Sequence, residues 1–222
     1  MIDMACLDGR HFTFDPAKTA LLVIDMQRDF CDPQGQCGMA GENVALTAAI
    51  IPRVAALLGK ARDLGLHIAH TREGHLPDLS DLSEAKRLRS RDGGAEIGER
   101  GPLGRYLVRG EYGHDFFDQL QPAAGEPVFD KPGFDAFYKT SLAHWLTETG
   151  TTHVLIAGVT TECCVQSTLR GAIDRGFYCL TFEDCTAAYY KDLHDTTFRL
   201  IVSQGGLFGW AGTSAALFDA AA

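Results

Sequence analysis

Residues Val154-Leu-Ile-Ala-Gly-Val-Thr-Thr-Glu-Cys-Cys-Val165 are the most informative about the architecture, because they join an apolar run directly to a helical pattern. The run at residues 154–157 has no polar alternation, which is typical of a strand buried on both faces. Apolar residues then recur at helical spacing, at Val165, Leu169, Ala172 and Ile173. A buried strand that leads into an amphipathic helix predicts one unit of a parallel sheet.

The same alternation of apolar runs and helical patterns recurs along the chain. The other apolar runs span residues 20–24, 66–70, 127–129, 178–182 and 207–210. Helical apolar stripes lie between them, at residues 54–61, 142–146 and 193–201. We therefore predict an α/β fold in three layers, with a doubly wound, mostly parallel sheet, as a single domain over residues 1–222.

Composition excludes some classes of partner. The chain has 222 residues and a formal net charge of −9, and no basic run exceeds two residues, so we expect no nucleic-acid partner. No uninterrupted apolar stretch reaches membrane-spanning length, and the N-terminus lacks a signal peptide's apolar core. The seven cysteines show no regular spacing. We expect a cytoplasmic protein without a disulfide framework and without a membrane partner.

Three residues that follow apolar runs are candidates for chemistry, because parallel sheets bind ligands beyond the carboxyl ends of their strands. They are Asp25, Lys131 and Cys164. Together they can act as proton shuttle, cation and nucleophile. Structural alternatives stay open for each: a capping aspartate, a surface turn lysine and a buried packing cysteine.

Cys164 has the strongest individual case. It lies in the first turn of the predicted helix, where the positive end of the helix dipole favours a thiolate. Free N–H groups in the same turn can hold the oxyanion of a tetrahedral intermediate. Its neighbour Cys163 is interpreted as a packing residue.

Residues 74–113 contain no clear strand, and a segment this long inside an α/β domain is typical of a functional or interface region. Four basic residues cluster there: Lys86, Arg87, Arg89 and Arg91. We interpret this cluster as a solvated helical face.

Three motifs resemble the isochorismatase-like cysteine hydrolases: Ile24-Asp-Met-Gln-Arg-Asp-Phe30, Asp130-Lys-Pro-Gly133 and Gly158-Val-Thr-Thr-Glu-Cys-Cys-Val165. The resemblance implies a triad of Asp25, Lys131 and Cys164, and no cofactor. It also implies a cis peptide before Thr160, which would direct the backbone N–H groups of Thr160 and Cys164 at an oxyanion. Related folds assemble as dimers or tetramers, so we expect a homo-oligomer.

The resemblance also bears on metals. Nicotinamidases of this superfamily carry a D-x-H-x-x-H-type ligand set near the second strand. Here the corresponding segment reads His70-Thr-Arg-Glu-Gly-His75, without that spacing. We predict that His70 and His75 are a core and a loop histidine, and that the site holds no catalytic metal.

Within the family, the chain particularly resembles the biuret hydrolases, in residues 70–79 and in Ser203-Gln-Gly-Gly-Leu-Phe-Gly209. This implies a small urea-like amide, of the biuret or triuret type, that releases ammonia. The residues predicted to bind it are Gln204, Phe30, Phe137, Tyr189 and Arg72. For each aromatic residue an ordinary core position is the alternative.

Two other functions stay open. A ureidoacrylate, maleamate or N-carbamoyl amino acid amidohydrolase would need a cation for the substrate carboxylate, which Arg72 or Arg105 could supply. A non-catalytic scaffold is the third reading.

Overall fold

Ten strands and nine α-helices build the computed structural model, which describes residues 1–222. The strands are β1 (Ile2–Ala5), β2 (His11–Phe14), β3 (Thr19–Ile24), β4 (His67–Glu73), β5 (Arg100–Gly101), β6 (Gly104–Arg105), β7 (Val128–Lys131), β8 (His153–Val159), β9 (Tyr178–Ala187) and β10 (Trp210–Gly212). The helices are α1 (Arg28–Cys31), α2 (Gln36–Met39), α3 (Val44–Ala48), α4 (Ile51–Asp63), α5 (Glu84–Asp92), α6 (Leu142–Glu148), α7 (Gln166–Asp174), α8 (Lys191–Gly206) and α9 (Ser214–Ala220). Short 3₁₀ turns lie at Pro16–Lys18 and Asp118–Leu120, and a π-helical turn at Thr161–Val165.

Six of the strands form one parallel sheet in the order β10-β9-β8-β3-β4-β7. From β3 the chain adds β4 and β7 on one side of the sheet and β8, β9 and β10 on the other. The strand order therefore reverses between β3 and β8, and a crevice opens at that point beyond the strand ends. The predicted doubly wound sheet is confirmed.

Two apolar cores, one on each face of the sheet, give the fold three layers. Along β3, Leu21 and Val23 pack into the first core, whereas Leu22 and Ile24 pack into the second. The first core also contains α4, α9 and the β1-β2 hairpin, and the second contains α6, α7 and α8. All six residues of β3 are buried for this reason, which explains its unbroken apolar sequence.

The structure contains elements that were not predicted, and it places the last predicted strand later in the chain. The run at residues 207–210 is mostly not a strand, because β10 begins only at Trp210. Leu207 and Phe208 lie in a turn directly after α8, a helix that kinks at Ser203, Gln204 and Gly205. The β1-β2 hairpin and α9, which the sequence analysis did not assign, close the first core.

One helical segment, Val44–Asp63, is long and apolar enough by length and composition to cross a membrane, with a mean hydropathy of 1.6. Arg53 and Lys60 interrupt this segment, so it is not the uninterrupted apolar stretch that the sequence analysis looked for. In the fold, Val54, Leu57 and Leu58 of this segment are buried in the first core. Packing against the sheet therefore accounts for its apolar character.

Residues 74–113 are an ordered cover over the carboxyl end of the sheet, built from α5 and the β5-β6 hairpin. The buried carboxylate of Asp29 fastens this cover, since it accepts the backbone N–H of Leu107 at 2.9 Å and that of Gln36 at 3.1 Å. Burial raises the pKa of Asp29 to about 6, against these two hydrogen bonds. The segment thus forms one wall of the crevice at the strand ends.

Candidate active site

Four chemically active side chains meet where the strand order reverses. Asp25 follows β3, Glu73 ends β4, Lys131 ends β7, and Cys164 lies in the π-helical turn after β8. Carboxylate oxygens of Asp25 and Glu73 and the Sγ of Cys164 all lie within 4.8 Å of one another. Parallel strands end at the same edge of the sheet, so residues far apart in sequence converge here.

Close approach of β3 and β8 depends on a glycine. A Cβ at Gly158 would overlap the backbone of Ile24, and the residue has φ +118°, which side chains rarely adopt. The next peptide bond, between Val159 and Thr160, is cis, as the resemblance implies. Across the gap, Asp25 has φ 49°, an uncommon conformation that aspartate tolerates, and this turn directs its carboxylate into the crevice.

Asp25 and Lys131 form a fully buried ion pair. The Nζ of Lys131 lies 2.7 Å from Oδ2 of Asp25, and the hydroxyl of Thr71 donates to Oδ1 at 2.6 Å. Burial raises the pKa of Asp25 above its ordinary value, even though Lys131 favours the ionised carboxylate. Burial disfavours the ammonium of Lys131, but Asp25 and Cys164 outweigh it and raise the pKa of the lysine. The lysine therefore stays charged, and the aspartate is a better proton acceptor than an exposed one.

The surroundings of Cys164 favour its protonated thiol, whereas the sequence analysis expected the start of a helix to favour the thiolate. A hydrogen bond with Cys163 and burial raise its pKa well above the ordinary value, and Asp25 and Glu73 act in the same direction. Its Sγ donates to Oε2 of Glu73 at 3.2 Å. The start of a helix is present as predicted, and Lys131 also lowers the pKa of the thiol, but the hydrogen bond with Cys163 and burial act more strongly. Ionisation of the thiol therefore needs transfer of its proton to a nearby acceptor.

Glu73 is the site residue that sequence reasoning missed. It is 3% exposed, its Oε1 lies 2.5 Å from Nζ of Lys86, and its Oε2 lies 3.7 Å from Nζ of Lys131. Burial alone would raise the pKa of Glu73, but these two ammonium groups hold it below the ordinary value. The available signal was its spacing: Thr71 and Glu73 are two residues apart in a strand, so both side chains point to the same face.

The backbone of the nucleophile turn provides candidate oxyanion donors. The N–H groups of Cys163 and Val165 both donate to the carbonyl of Thr160, at 3.1 and 3.2 Å. Among the hydrogen bonds outside regular elements, none uses the N–H of Thr160 or Cys164 as donor. These two groups are the ones that the resemblance assigns to an oxyanion, and their use in that way stays a prediction.

A cavity of about 390 Å³ opens onto the Sγ of Cys164. Its residues come from the turn after β8, from the α1–α3 region and from the cover formed by residues 74–113. They are Phe30, Gln36, Cys37, Ala40, Glu42, Glu73, Lys86, Arg89, Ser90, Gly93, Ala95, Ile97, Leu107, Phe134, Val159, Thr160, Glu162, Cys163, Cys164 and Tyr189. This volume suits a small molecule.

The Isochorismatase domain model matches residues 19–215, which is most of the chain and includes all four strand ends described above. The chain belongs to the isochorismatase family. The match makes it a hydrolase of that family, with its crevice at the strand ends where the four side chains meet.

Named relatives of this isochorismatase-family chain include two ureidoacrylate amidohydrolases called RutB. The chain is 29% identical to the protein of Serratia proteamaculans (strain 568) over 184 residues, which cover 78% of this chain and 71% of the relative. It is also 29% identical to the protein of Pantoea ananatis (strain LMG 20103), with 70% of that relative covered. These relatives support amidohydrolase chemistry, and the particular likeness to biuret hydrolases stays a prediction.

Solved structures agree on the fold. An isochorismatase family protein from Desulfovibrio vulgaris subsp. vulgaris str. Hildenborough aligns with a TM-score of 0.75 and 26% identity, covering 91% of this chain and 97% of its own. A cysteine hydrolase from Pseudomonas syringae pv. phaseolicola 1448A aligns with a TM-score of 0.79 at 22% identity, covering 94% and 96%. The second likeness concerns the fold alone.

The cavity contains some of the predicted substrate-binding residues and leaves out others. Phe30 and Tyr189 line it, and the hydroxyl of Tyr189 donates to the carbonyl of Phe30 at 3.1 Å. Phe137 lies instead in the second core, buried beneath Arg175, which stacks on its ring. The alternative of an ordinary core aromatic therefore holds for Phe137.

Two polar predictions also fall outside the cavity. Gln204 is exposed at the kink of α8, where it has φ 51°, so its resemblance-based role lacks structural support. Arg72 is committed to Asp130 at 2.8 Å and Asp115 at 3.2 Å. Arg105, the other candidate cation, donates to backbone carbonyls within the cover. None of the three lines the cavity.

The basic residues of α5 are exposed or half-exposed, as the sequence analysis interpreted them, with the exception of Lys86. Lys86 is 8% exposed and donates to the carbonyl of Pro132 at 2.8 Å as well as pairing with Glu73. Arg89 lies one turn further on the same helix, also lines the cavity and makes no ion pair. Only Arg87 and Arg91 pair with carboxylates at the surface.

The donor atoms near Cys164 do not fit a metal site well, because the ammonium of Lys131 already lies between the two carboxylates. Nε2 of His70 contacts Glu126 at 2.9 Å, and Nδ1 of His75 contacts Asp81 at 3.1 Å. Both histidines are buried and neither lines the cavity. Absence of a catalytic metal remains a prediction.

Proposed function

We propose that this chain is a cysteine-dependent amidohydrolase that cleaves a C–N bond of a small linear amide carrying a carboxylate, of the ureidoacrylate type. One observation carries the proposal: the Sγ of Cys164 faces a cavity and lies within 4.8 Å of the carboxylate of Asp25, which Lys131 contacts at 2.7 Å. This arrangement supplies a nucleophile, a proton acceptor of raised pKa and a fixed cation.

The reaction would proceed through an acyl-enzyme. Asp25 takes the proton of Cys164, and the thiolate attacks the carbamoyl carbon, whose oxygen gathers negative charge beside the N–H groups of Thr160 and Cys164. The C–N bond then breaks as Asp25 returns its proton to the departing nitrogen. A water molecule gives its proton to Asp25 and attacks the carbonyl carbon, the C–S bond breaks, and the thiol is restored. Throughout, Lys131 stays protonated and orients Asp25.

Charge at the two sides of the cavity supports a ureido acid. On one side Arg89 has no carboxylate partner in the protein and can pair with a substrate carboxylate. On the other side one buried carboxylate oxygen each of Glu42 and Glu162 has no hydrogen-bond partner and can accept N–H groups of a ureido chain. The names of the two curated relatives point the same way.

An uncharged carbamoyl urea such as biuret or triuret is the second candidate. Three glutamates line the cavity, Glu42, Glu73 and Glu162, and their oxygens match a substrate rich in N–H donors. This reading needs no role for Arg89.

A substrate panel tests both readings. Purified protein is incubated with ureidoacrylate, an N-carbamoyl amino acid, biuret, triuret and nicotinamide, and ammonia release and substrate loss are followed. We expect turnover of the carboxylated ureides and none by Cys164→Ser. Turnover of biuret or triuret alone would select the second candidate, and no turnover of any amide would contradict the enzyme.

The Arg89→Gln variant separates the two substrate classes. We expect KM for a carboxylated substrate to rise about tenfold, because a charge-assisted contact worth roughly 1.5 kcal/mol is lost. Arg91→Gln is the matched control, since Arg91 lies on the same helix but pairs with Asp92 outside the cavity. An unchanged KM in Arg89→Gln would contradict carboxylate recognition by α5.

A further inference from the structure

The thiol of Cys164 has two carboxylates within reach, and the one it contacts is not the one in the triad. Its Sγ lies 3.2 Å from Oε2 of Glu73, while the carboxylate of Asp25 lies within 4.8 Å. An ionised carboxylate next to a sulfur favours the protonated thiol, because it accepts the S–H hydrogen bond and repels a thiolate. Glu73 is therefore placed to oppose the ionisation that Asp25 promotes.

Glu73 is held rigidly in this position. Its backbone N–H donates to Oε1 of Gln27 at 2.7 Å, and Nε2 of Gln27 donates to the carbonyl of Glu73 at 3.0 Å. Lys86 contacts its Oε1 at 2.5 Å and donates to Pro132 at 2.8 Å. A buried carboxylate beside a nucleophile is costly unless it is paired, so Lys86 and Lys131 together permit Glu73 to remain ionised.

The ionisable groups that face Sγ come from several elements of the fold. They are Asp25 after β3, Glu73 of β4, Lys131 of β7, Lys86 of α5, Cys163 of the same turn and Tyr189 after β9. Asp25 with Lys131 and Glu73 with Lys86 make two neutral pairs. Removal of one member of the second pair leaves a single uncompensated charge close to the sulfur, whose sign depends on which member is removed.

We propose that Glu73, paired with Lys86, is a positioning residue that keeps the Cys164 nucleophile protonated in the empty site. The proposal rests on the proposed function, in which Asp25 takes the thiol proton when substrate is bound. The thiol of Cys164 therefore stays unreactive until a substrate fills the cavity that Lys86 and Arg89 line. The lysine on the cover thereby links the cover to the reactivity of the sulfur.

Alkylation of the empty site tests this without any substrate. The rate of iodoacetamide labelling of Cys164, followed by mass spectrometry of its peptide against pH, reports the ionised fraction of the thiol. Cys164→Ser in parallel gives the background from Cys163. In Glu73→Gln we expect the midpoint of the labelling profile to move to lower pH and labelling at neutral pH to become about threefold faster, since more thiolate outweighs its lower nucleophilicity.

Lys86→Met carries the opposite prediction, because an unpaired Glu73 repels a thiolate more strongly. Its labelling midpoint should move to higher pH and labelling at neutral pH should slow about threefold. Lys86→Arg, which keeps the charge, should behave like the wild type. The double variant Glu73→Gln with Lys86→Met should return close to the wild-type profile, because it removes one charge of each sign.

Opposite shifts in the two single variants support the proposal, and a purely structural role would not produce them. Shifts in the same direction, or no shift in either, would overturn it. Glu84→Gln is the matched control: it removes an acidic charge from the exposed side of α5 and should not move the profile. Should Glu73→Gln fail to fold, the pair Lys86→Met and Lys86→Arg still decides the question.

The result is separable from the proposed function. Shifts of the labelling profile without hydrolysis of any amide would support the positioning role of Glu73 and contradict the proposed amidohydrolase function. Hydrolysis of an amide with unchanged labelling profiles would support the amidohydrolase function and contradict the positioning role.

Discussion

Burial of Lys131 with no solvent exposure carries a large desolvation penalty, and its pairing with Asp25 at 2.7 Å compensates for it. The same burial raises the pKa of Asp25, so one contact yields a permanent cation and a competent base. At the scale of single residues, each buried charge of the site would be destabilising alone, and its oppositely charged neighbour compensates for the desolvation cost. Removal of either partner leaves the other buried without its nearest opposite charge.

Asp25→Asn tests the proton shuttle. An amide cannot take the thiol proton, so we expect hydrolysis to fall about 10²- to 10⁴-fold. In the wild type, activity should rise with pH as Asp25 ionises, at a higher pH than an ordinary aspartate because burial raises its pKa. That acid limb should disappear from the pH profile of the residual activity of Asp25→Asn. Asp115→Asn is the control, since Asp115 is partly exposed and pairs with Arg72 away from the cavity. Full activity in Asp25→Asn would contradict the mechanism.

At the scale of elements, the decisive contact is the one between β3 and β8, whose carboxyl ends present Asp25 and the nucleophile turn. The strands pair in parallel from Thr19 opposite His153 to Ile24 opposite Gly158. At this end of the pair both strands turn sharply, with φ 49° at Asp25 and φ +118° at Gly158. The spacing of base and nucleophile is thus a property of two strand ends rather than of either side chain.

Gly158→Ala should disrupt this contact. Its Cβ would overlap the backbone of Ile24, so we expect a loss of stability of about 3 kcal/mol or more from overpacking and backbone strain, measured by denaturant unfolding. Gly176→Ala is the matched control: it also has positive φ, at +85°, but nothing lies within 4 Å of its Cβ. It should lose only about 1–2 kcal/mol. Equal losses in the two variants would contradict a packing role for Gly158.

For the molecule as a whole, residues 74–113 convert an open strand edge into a cavity. The segment is fastened at Asp29, contributes Lys86 and Arg89 to the wall, and places a cation against Glu73. Ile97, Leu107 and Val108 of this segment are buried but belong to neither core of the sheet. Because this cover lines the cavity, we expect it to influence substrate choice.

Assembly also belongs to this scale. The homo-oligomer implied by related folds stays a prediction, and sedimentation equilibrium of the purified chain should give a multiple of 24.1 kDa. A mass of one chain at micromolar concentration would contradict it. Exposed apolar side chains such as Tyr178, Leu200 and Leu207 are available for such contacts.

Much of the fold follows from local sequence. Unbroken apolar runs predict five of the six sheet strands closely, because a strand covered on both faces needs no polar alternation. Parallel strands place their ends at one edge, so Asp25, Lys131 and Cys164 can be grouped from their positions after the apolar runs. The run at residues 207–210 misleads because Leu207 and Phe208 lie in the turn after α8, where Phe208 packs against the second core and Leu207 is exposed.

The family, the sheet and the three residues of the predicted triad are all readable in the amino-acid sequence, since each depends on short motifs and on residue periodicity. Three-dimensional packing alone decides that Glu73 contacts the thiol and that Lys86 of α5 neutralises the charge of Glu73. It also decides that Gln204 and Arg72 lie outside the cavity. The reason is physical: a buried charge acquires its partner only when distant segments of the chain pack together, and residues 74–113 carry no periodic signal that says where they fold back.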